Sequence, residues 1–169
     1  MPNRLRRLLL AFALAAFLAG LLATPAAARL DGPPRIQRPP QKPRATLGQR
    51  AARVALKALG APYVWGGASP ASGFDCSGLV RWAYSRLGID LPHSSYALYD
   101  RGRRVARSRM KPGDLVFFSG LGHVGLYLGQ GRMVHAPQSG RNVEVVRLRS
   151  SYYARNLVGA RRIARQGVD

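Results

Sequence analysis

One cysteine and three histidines are the residues of this 169-residue chain best suited to covalent chemistry. Cys76 is the only cysteine, so it cannot form a disulfide within the chain. A thiolate is a strong nucleophile, and an imidazole is the side chain that most often takes up a proton near neutral pH. The sequence therefore suggests thiol catalysis, with its base to be found among His93, His123 and His135.

Cys76 stands at the start of a predicted helix, which Gly88 ends. Its apolar face is formed at helical spacing by Cys76, Leu79, Val80, Ala83, Tyr84 and Leu87. Asp75 is a suitable N-cap, so Cys76 falls in the first turn, where unpaired N–H groups would favour thiolate and could bind an oxyanion. The same position lies on the apolar face, where a buried cysteine acts as a small hydrophobe. Helix position alone leaves both interpretations open.

His123 and His135 fall on two successive predicted strands. If residues 129–131 form a three-residue loop, Leu128 pairs with Arg132, and the two histidines share a face of the sheet as diagonal neighbours. A two-residue loop would instead place them on opposite faces. The expected proximity of the two rings therefore depends on the length of this turn.

The predicted catalytic set is Cys76 as nucleophile, His123 as base and His135 as the residue that orients the base. His93, which follows the Cys76 helix in an irregular stretch, could line the site. Zinc sites use the same residue types, but they usually contain close ligand pairs such as C-x-x-C or H-x-x-x-H, and neither occurs here. We therefore predict no metal and no other cofactor.

The elements that must position these residues are helices first and strands after. Residues 51–59 have the spacing of a first helix, with Ala51, Ala52, Ala55, Leu56 and Leu59 on its apolar face and Gly60 at its end. Beyond the turn at Pro112 and Gly113 come short β-rich runs separated by Gly, Ser or Asn, as in an antiparallel meander. Helices followed by strands predict an α+β fold.

The N-terminal segment has the pattern of a secretory signal peptide, with three arginines, an apolar run at 8–23 and small residues at a cleavage site after Ala28. The run is shorter than the ~20 residues that span a bilayer. We therefore expect removal of 1–28, a proline-rich linker at 29–45 and one domain at 46–169.

The mature protein is expected as a monomer in the periplasm or in the cell-wall or extracellular space. Once the signal is removed it should not be an integral membrane protein. No cysteine lies near the cleavage site, so a lipid anchor is not expected either.

The chain is strongly basic, with a formal net charge of +20. Such an excess predicts attraction to polyanions and says nothing about the fold. For an exported protein the expected partners are anionic envelope polymers, and the signal peptide argues against nucleic acid. The densest cluster of cations, at 101–111, is interpreted as a solvated loop rather than a dedicated site.

Six motifs in order resemble the NlpC-type cell-wall cysteine peptidases over essentially the whole predicted domain. They are PYVWGG at 62–67, DCSGLV at 75–80, LPHSS at 91–95, PGDLVFF at 112–118, GHVGLYLG at 122–129 and MVHAP at 133–137. The resemblance implies a papain-like α+β fold, with the nucleophile at a helix N-terminus packed on an antiparallel sheet. It also implies hydrolysis of peptidoglycan stem peptides between γ-D-glutamate and meso-diaminopimelate or lysine.

The same resemblance assigns the nucleophile to Cys76, the base to His123 and the orienting role to His135. Further residues would line the substrate side: Tyr63, Asp75, Ser77 and Ser95. An acid like Asp75 helps relatives that require a free L-alanine amine to hold it. Simpler roles compete with these, since Asp75 could be only a helix cap and Ser77 only a polar first-turn residue.

Two further interpretations concern neighbouring residues. Trp65 is interpreted as a core aromatic, and Asp114 as a turn residue. Alternative functions are an inactive wall- or envelope-binding module of the same fold, a related thiol amidase or acyltransferase, and, favoured only if the unprocessed chain stays in the cytoplasm, a nucleic-acid binder.

Overall fold

The computed structural model describes residues 44–164, which belong to one compact unit. Helix α1 (Leu47–Leu56) begins at a capping box, in which Thr46 and Gln49 each bond the other's backbone N–H, at 3.2 and 2.8 Å. Three inward-facing alanines are buried. The helix ends before the predicted position, and Leu59, expected on its apolar face, is 48% exposed.

Helix α2 (Cys76–Ser85) confirms the predicted position of Cys76 in the first turn. Asp75 is its N-cap and accepts a hydrogen bond of 2.7 Å from the N–H of Gly78. The expected apolar face is buried at Leu79, Val80, Ala83 and Tyr84. A short hairpin of β1 (Ala68–Ser69) and β2 (Gly73–Phe74) precedes the helix. Cys76 is thus fixed between a capped helix and a paired strand.

The predicted strands form one antiparallel sheet. Its members are β3 (Arg103–Arg104), β4 (Leu115–Phe118), β5 (Val124–Gly129), β6 (Arg132–His135), β7 (Glu144–Arg147) and β8 (Leu157–Arg162), in the order β3-β8-β4-β5-β6-β7. Strands β4 to β7 make the expected meander. The last strand departs from it, because β8 returns to pair with β4 after helix α4 (Ser151–Asn156). Another short helix, α3 (Ser95–Tyr99), follows α2.

Both faces of the sheet are covered, which explains why β4 is buried along its whole length. One face packs on α1 and α2 through Leu115, Phe117, Val124, Leu126 and Val134. The other face holds a smaller cluster formed by Val105, Val116, Phe118, Met133, Leu148 and Ala160, with Tyr153 of α4 beside it. The fold is therefore α+β, as predicted.

The turn between β5 and β6 is shorter than predicted. Gly129 pairs with Arg132, so the loop contains only Gln130 and Gly131, and the expected pairing of Leu128 with Arg132 is wrong. Both loop residues have positive φ, 53° and 67°, as in the type I′ turns that suit two-residue hairpins.

A bulge beside this turn restores the predicted register. The pairing shifts by one residue between Tyr127 and Gly129, after which Leu126 lies opposite Val134. His123 and His135 consequently share a face, although a two-residue loop without the bulge would have separated them. A side-chain carbon built on Gly125 would lie 3.4 Å from Cβ of His135, which shows how closely the strands approach there.

Two sequence-based predictions concern residues outside 44–164. The signal peptide predicted at 1–28 lies outside the described residues, as does the linker at 29–45 apart from its last two residues. Within 44–164, no helix has the length and apolar character needed to cross a membrane.

Candidate active site

Cys76 is a half-buried free thiol at the first residue of α2. Burial raises the pKa of this thiol, and the carboxylate of Asp75 raises it further, whereas N–H groups of Val124, Ser77 and Cys76 lower it. Burial has the larger effect, so the expected preference for thiolate is wrong for the resting protein. The N–H of Val124 also places the sulfur beside the start of β5, next in sequence to His123.

The two predicted histidines are in direct contact. His123 Nε2 lies 2.8 Å from His135 Nδ1, and the rings meet edge to face, with centroids 5.0 Å apart. If His123 is the base, its Nδ1 carries the lone pair that takes a proton, so its Nε2–H donates to His135 Nδ1. The contact therefore suits a base whose tautomer and orientation are fixed by its neighbour.

Both imidazoles are neutral at pH 7. Burial, with a further contribution from His135, lowers the pKa of His123 to about 4. Burial and the guanidinium of Arg141 lower the pKa of His135 to about 4 as well. A neutral His123 can accept a proton, but its lowered pKa makes it a weaker base than a free imidazole, so proton transfer from the thiol must accompany attack and not precede it.

The far nitrogen of His135 faces a group that the sequence analysis did not identify. His135 Nε2 lies 3.4 Å from both the hydroxyl of Tyr153 and Oε1 of Glu144, the residue opposite it on β7. Arg141 in turn donates through Nη2 to both oxygens of Glu144, at 2.6 and 2.7 Å. A proton on His135 Nε2 thus faces two oxygen acceptors. This favours the tautomer of His135 that is protonated at Nε2 and leaves Nδ1 free to accept from His123.

Asp75 does more than cap the helix. Its Oδ1 accepts from Ser77 Oγ at 3.0 Å and from the N–H of Gly78, and its Oδ2 accepts from the N–H of Gly66 at 2.9 Å. His93 Nε2 lies 2.9 Å from both carboxylate oxygens. A hydrogen-bonded polar group therefore adjoins Cys76, and it includes the one histidine to which no catalytic role was assigned.

The remaining predicted site residues differ in how the structure places them. Tyr63 is half-buried; burial raises the pKa of its hydroxyl, and the charges of Cys76 and Asp75 raise it further, so it lies near both. Ser95 is buried at the start of α3 but makes no hydrogen bond with the other predicted site residues. Trp65, expected in the core, is 85% exposed. Among residues 44–164, no three His, Cys, Asp or Glu side chains could hold a metal ion.

Comparison with known proteins places this arrangement in a family. The model of the NlpC/P60 family matches residues 60–162, which is more than half of the chain and includes Cys76, His123 and His135. The chain belongs to the NlpC/P60 family.

Curated relatives of this NlpC/P60 protein include named peptidoglycan enzymes. The chain is 42% identical over 127 residues to the murein DD-endopeptidase MepH of Escherichia coli K12, covering 68% of this chain and 47% of that protein. It is 40% identical over 117 residues to the bifunctional muramidase/DL-endopeptidase CwlT of Bacillus subtilis 168, covering 66% and 35%. The chain thus spans about a third to a half of the length of these two relatives.

Solved structures of the family share its fold. The NlpC/p60 domain of the peptidoglycan hydrolase SagA superposes with a TM-score of 0.62 at 36% identity, covering 69% of this chain and 98% of that one. The peptidoglycan hydrolase RipB of Mycobacterium tuberculosis also gives 0.62, at 35% identity, over 73% and 69%. These matches confirm the predicted papain-like α+β fold.

Proposed function

We propose that this NlpC/P60 domain is a thiol-dependent endopeptidase that hydrolyses peptidoglycan stem peptides between γ-D-glutamate and the diamino acid. The observation that carries the proposal is the 2.8 Å contact between His123, just before β5, and His135 of β6, beside a first-turn cysteine. A buried, neutral histidine pair next to a thiol suits general-base catalysis. The similarity to the peptidoglycan enzymes MepH, CwlT, SagA and RipB supports peptidoglycan as the substrate.

The first half of the reaction forms an acyl-enzyme. Sγ of Cys76 attacks the carbonyl carbon of the scissile amide as its proton passes to Nδ1 of His123. Backbone N–H groups at the start of α2, those of Cys76 and Ser77, would receive the oxyanion. His123, now protonated, gives the proton to the leaving amine nitrogen, the C–N bond breaks, and the diamino-acid half departs.

The second half restores the enzyme. Neutral His123 takes a proton from a water molecule, whose oxygen attacks the thioester carbonyl. The C–S bond then breaks and the proton returns to sulfur, which releases the γ-D-glutamyl carboxylic acid. Throughout the cycle His135 accepts the hydrogen bond from His123 Nε2, so it positions the base and touches no reacting atom.

The Asp75 group would hold the acyl half of the substrate. The carboxylate of Asp75 and the hydroxyl of Tyr63 lie near Cys76, where a free L-alanine ammonium would find a negative partner. Ser77 is hydrogen-bonded to this carboxylate, and Ser95 would line the same side. A free amine on the stem peptide is therefore part of the proposed substrate.

Export and wall association complete the proposal. The signal sequence predicted at 1–28 and the similarity to peptidoglycan hydrolases support a place in the periplasm or outside the cell. Exposed arginines at 101, 103, 104, 107 and 109 would attract anionic envelope polymers. Because salt screens exposed charges beyond about 8 Å, retention on isolated sacculi should fall steeply between low and high salt, and salt-independent retention would contradict this role.

The decisive test is digestion of purified muropeptides by the mature protein, with products identified by mass spectrometry. We expect new termini at γ-D-glutamate in the wild type and none in Cys76→Ala. The variant should unfold at the same urea concentration as the parent, which would show that only the thiol has been lost. Intact muropeptides in the presence of folded wild-type protein would contradict the endopeptidase proposal.

A further inference from the structure

We propose that Arg141 makes the enzyme selective for a leaving half that carries a free carboxylate on its side chain, as meso-diaminopimelate does and lysine does not. The inference rests on the proposed function and specifies its substrate. It is drawn from a cavity of about 550 Å³ that opens beside the base. The cavity is lined on one side by His123 and Phe118, and elsewhere by Gln138, Arg141, Tyr152 and Tyr153.

The position of the cavity assigns it to the leaving half of the substrate. A general acid must lie within hydrogen-bond reach of the nitrogen that it protonates, so the leaving amine must sit against His123. His123 forms part of the cavity wall, whereas Asp75 and Tyr63 are not among the lining residues. The diamino acid would therefore enter the cavity as the acyl half lies along the Asp75 group.

The walls of the cavity suit an extended side chain. Tyr153 packs edge to face on Phe118 and on Tyr152, with ring centroids 5.2 Å apart in both cases. Such rings offer an apolar surface to the methylene chain that meso-diaminopimelate and lysine share. The walls alone thus accept both diamino acids, and discrimination must come from the polar groups.

Arg141 is the only charged residue among those that line this cavity. Its Nη2 bonds both oxygens of Glu144, while Nε and Nη1 make no hydrogen bond among the described residues. The carboxylate of Glu144 offsets the charge of the guanidinium, so what Arg141 offers to the cavity is the set of N–H donors that Glu144 does not occupy. The free N–H groups can therefore receive a carboxylate.

Both ends of Arg141 have partners in the absence of substrate, and its side chain is 52% exposed. The backbone of Arg141 is bonded on both sides, from its N–H to Gln138 at 3.1 Å and from its carbonyl to the N–H of Tyr63 at 2.8 Å. Glu144 fixes the other end from β7, opposite His135. A donor that already has a partner loses less conformational entropy on binding than a free side chain, which favours its contact with a carboxylate.

The two diamino acids differ in what they present to this group. The side chain of meso-diaminopimelate ends in a carbon that carries both an ammonium and a carboxylate, and that of lysine ends in an ammonium alone. The free N–H groups of the guanidinium can donate to the carboxylate, and they offer no acceptor to an unaccompanied ammonium. Amidation of the diaminopimelate carboxyl removes the attraction without changing the length of the side chain.

Three synthetic stem peptides test the proposal, L-Ala-γ-D-Glu-X-D-Ala with X as meso-diaminopimelate, its side-chain amide, or L-lysine. We expect kcat/KM for the free acid to exceed that for the other two by about 10- to 100-fold, the usual range for a charge-assisted contact. In Arg141→Gln the ratio of kcat/KM for the free acid to that for each of the other two peptides should fall to within about threefold of unity. The matched control is Arg147→Gln, an exposed arginine of β7 outside the cavity, which should keep the ratio.

The ratio separates selectivity from any general effect of losing Arg141, because release of Glu144 would change all three rates together. Equal wild-type rates on the three peptides, or an equal fall for all three in Arg141→Gln, would overturn the assignment of Arg141 and leave the endopeptidase proposal intact. Cleavage of none of them by folded wild-type enzyme would instead contradict the proposed function itself.

Discussion

The two ends of the β4–β5 hairpin each hold a buried polar contact, and the two contacts differ in kind. At one end Asp114, just before β4, receives Nε and Nη2 of Arg162 from β8, both at 2.6 Å. At the other end His123, just before β5, meets His135 of β6 at 2.8 Å. The first contact joins two permanent charges, and the second joins two neutral rings.

The difference separates a structural contact from one that can do chemistry. Asp114 also accepts from the N–H of Lys111 at 2.7 Å, so its carboxylate is saturated by permanent partners. His123 has one nitrogen engaged by His135, and burial keeps the ring unprotonated, which leaves the other nitrogen able to take a proton. The polar contacts at the two ends of one hairpin can thus have different roles. Only the contact that includes His123 leaves a nitrogen lone pair free to take a proton.

The largest expected effect is on stability, and it comes from the contact between Asp114 and Arg162. Asp114→Asn leaves the guanidinium of Arg162 without its counter-charge, and because the Arg162 side chain is 22% exposed we expect a loss of about 2–4 kcal/mol in the free energy of unfolding. The rate on muropeptides, measured where the variant is fully folded, should stay within about twofold of the parent, since the contact lies at the far end of the hairpin. Urea unfolding and steady-state kinetics would measure both.

A matched control for that variant is Asp90→Asn. Asp90 is 88% exposed and lies 3.7 Å from Arg81, so the same change of charge at the surface should alter stability by less than about 0.5 kcal/mol. Equal destabilisation by the two variants would show that the Asp114–Arg162 contact contributes no more to stability than an exposed ion pair.

A smaller effect is expected from the contact between His123 and His135. It should make the free energy of unfolding depend on pH. His123 and His135 each have a folded pKa near 4, below the unfolded value of about 6.5, so the unfolded chain binds more protons between these limits. Their contribution is complete above pH 6.5 and is lost as pH falls toward 4. His135→Asn should reduce the slope of unfolding free energy against pH by about 1 kcal/mol per pH unit in that window, as measured by urea unfolding. An unchanged slope would contradict a neutral buried His135.

The parts of the site that depend on short-range patterns, such as a helix cap or apolar periodicity, could be predicted from the sequence. The N-cap at Asp75 and the apolar periodicity after it placed Cys76 correctly on a helix terminus. The alternation along β5 placed His123 and His135 on one face, although through a turn of the wrong length. The bulge that rescued this prediction depends on backbone conformation at the turn, which alternation of apolar residues does not encode.

Contacts between residues that are far apart in the sequence could not be predicted in the same way. The contacts of Asp75 with His93 and of Asp114 with Arg162 span 18 and 48 residues, and a charge pattern does not specify which distant residues meet. The exposure of Trp65 was missed for a related reason, since an aromatic residue near a turn has no periodicity that would assign it to a face. The pairing of β8 with β4 likewise depends on the covering of both faces of the sheet.

The central claim, that His135 orients His123 for proton transfer from Cys76, is tested most directly by comparing kcat/KM on one muropeptide for His135→Asn and His135→Ala. An asparagine amide oxygen can accept the bond from His123 Nε2 in place of Nδ1, whereas alanine cannot. We expect His135→Asn to keep partial activity, His135→Ala to lose at least about tenfold more, and His123→Ala to lose turnover entirely. Cleavage by His135→Ala at the parental rate would contradict the account.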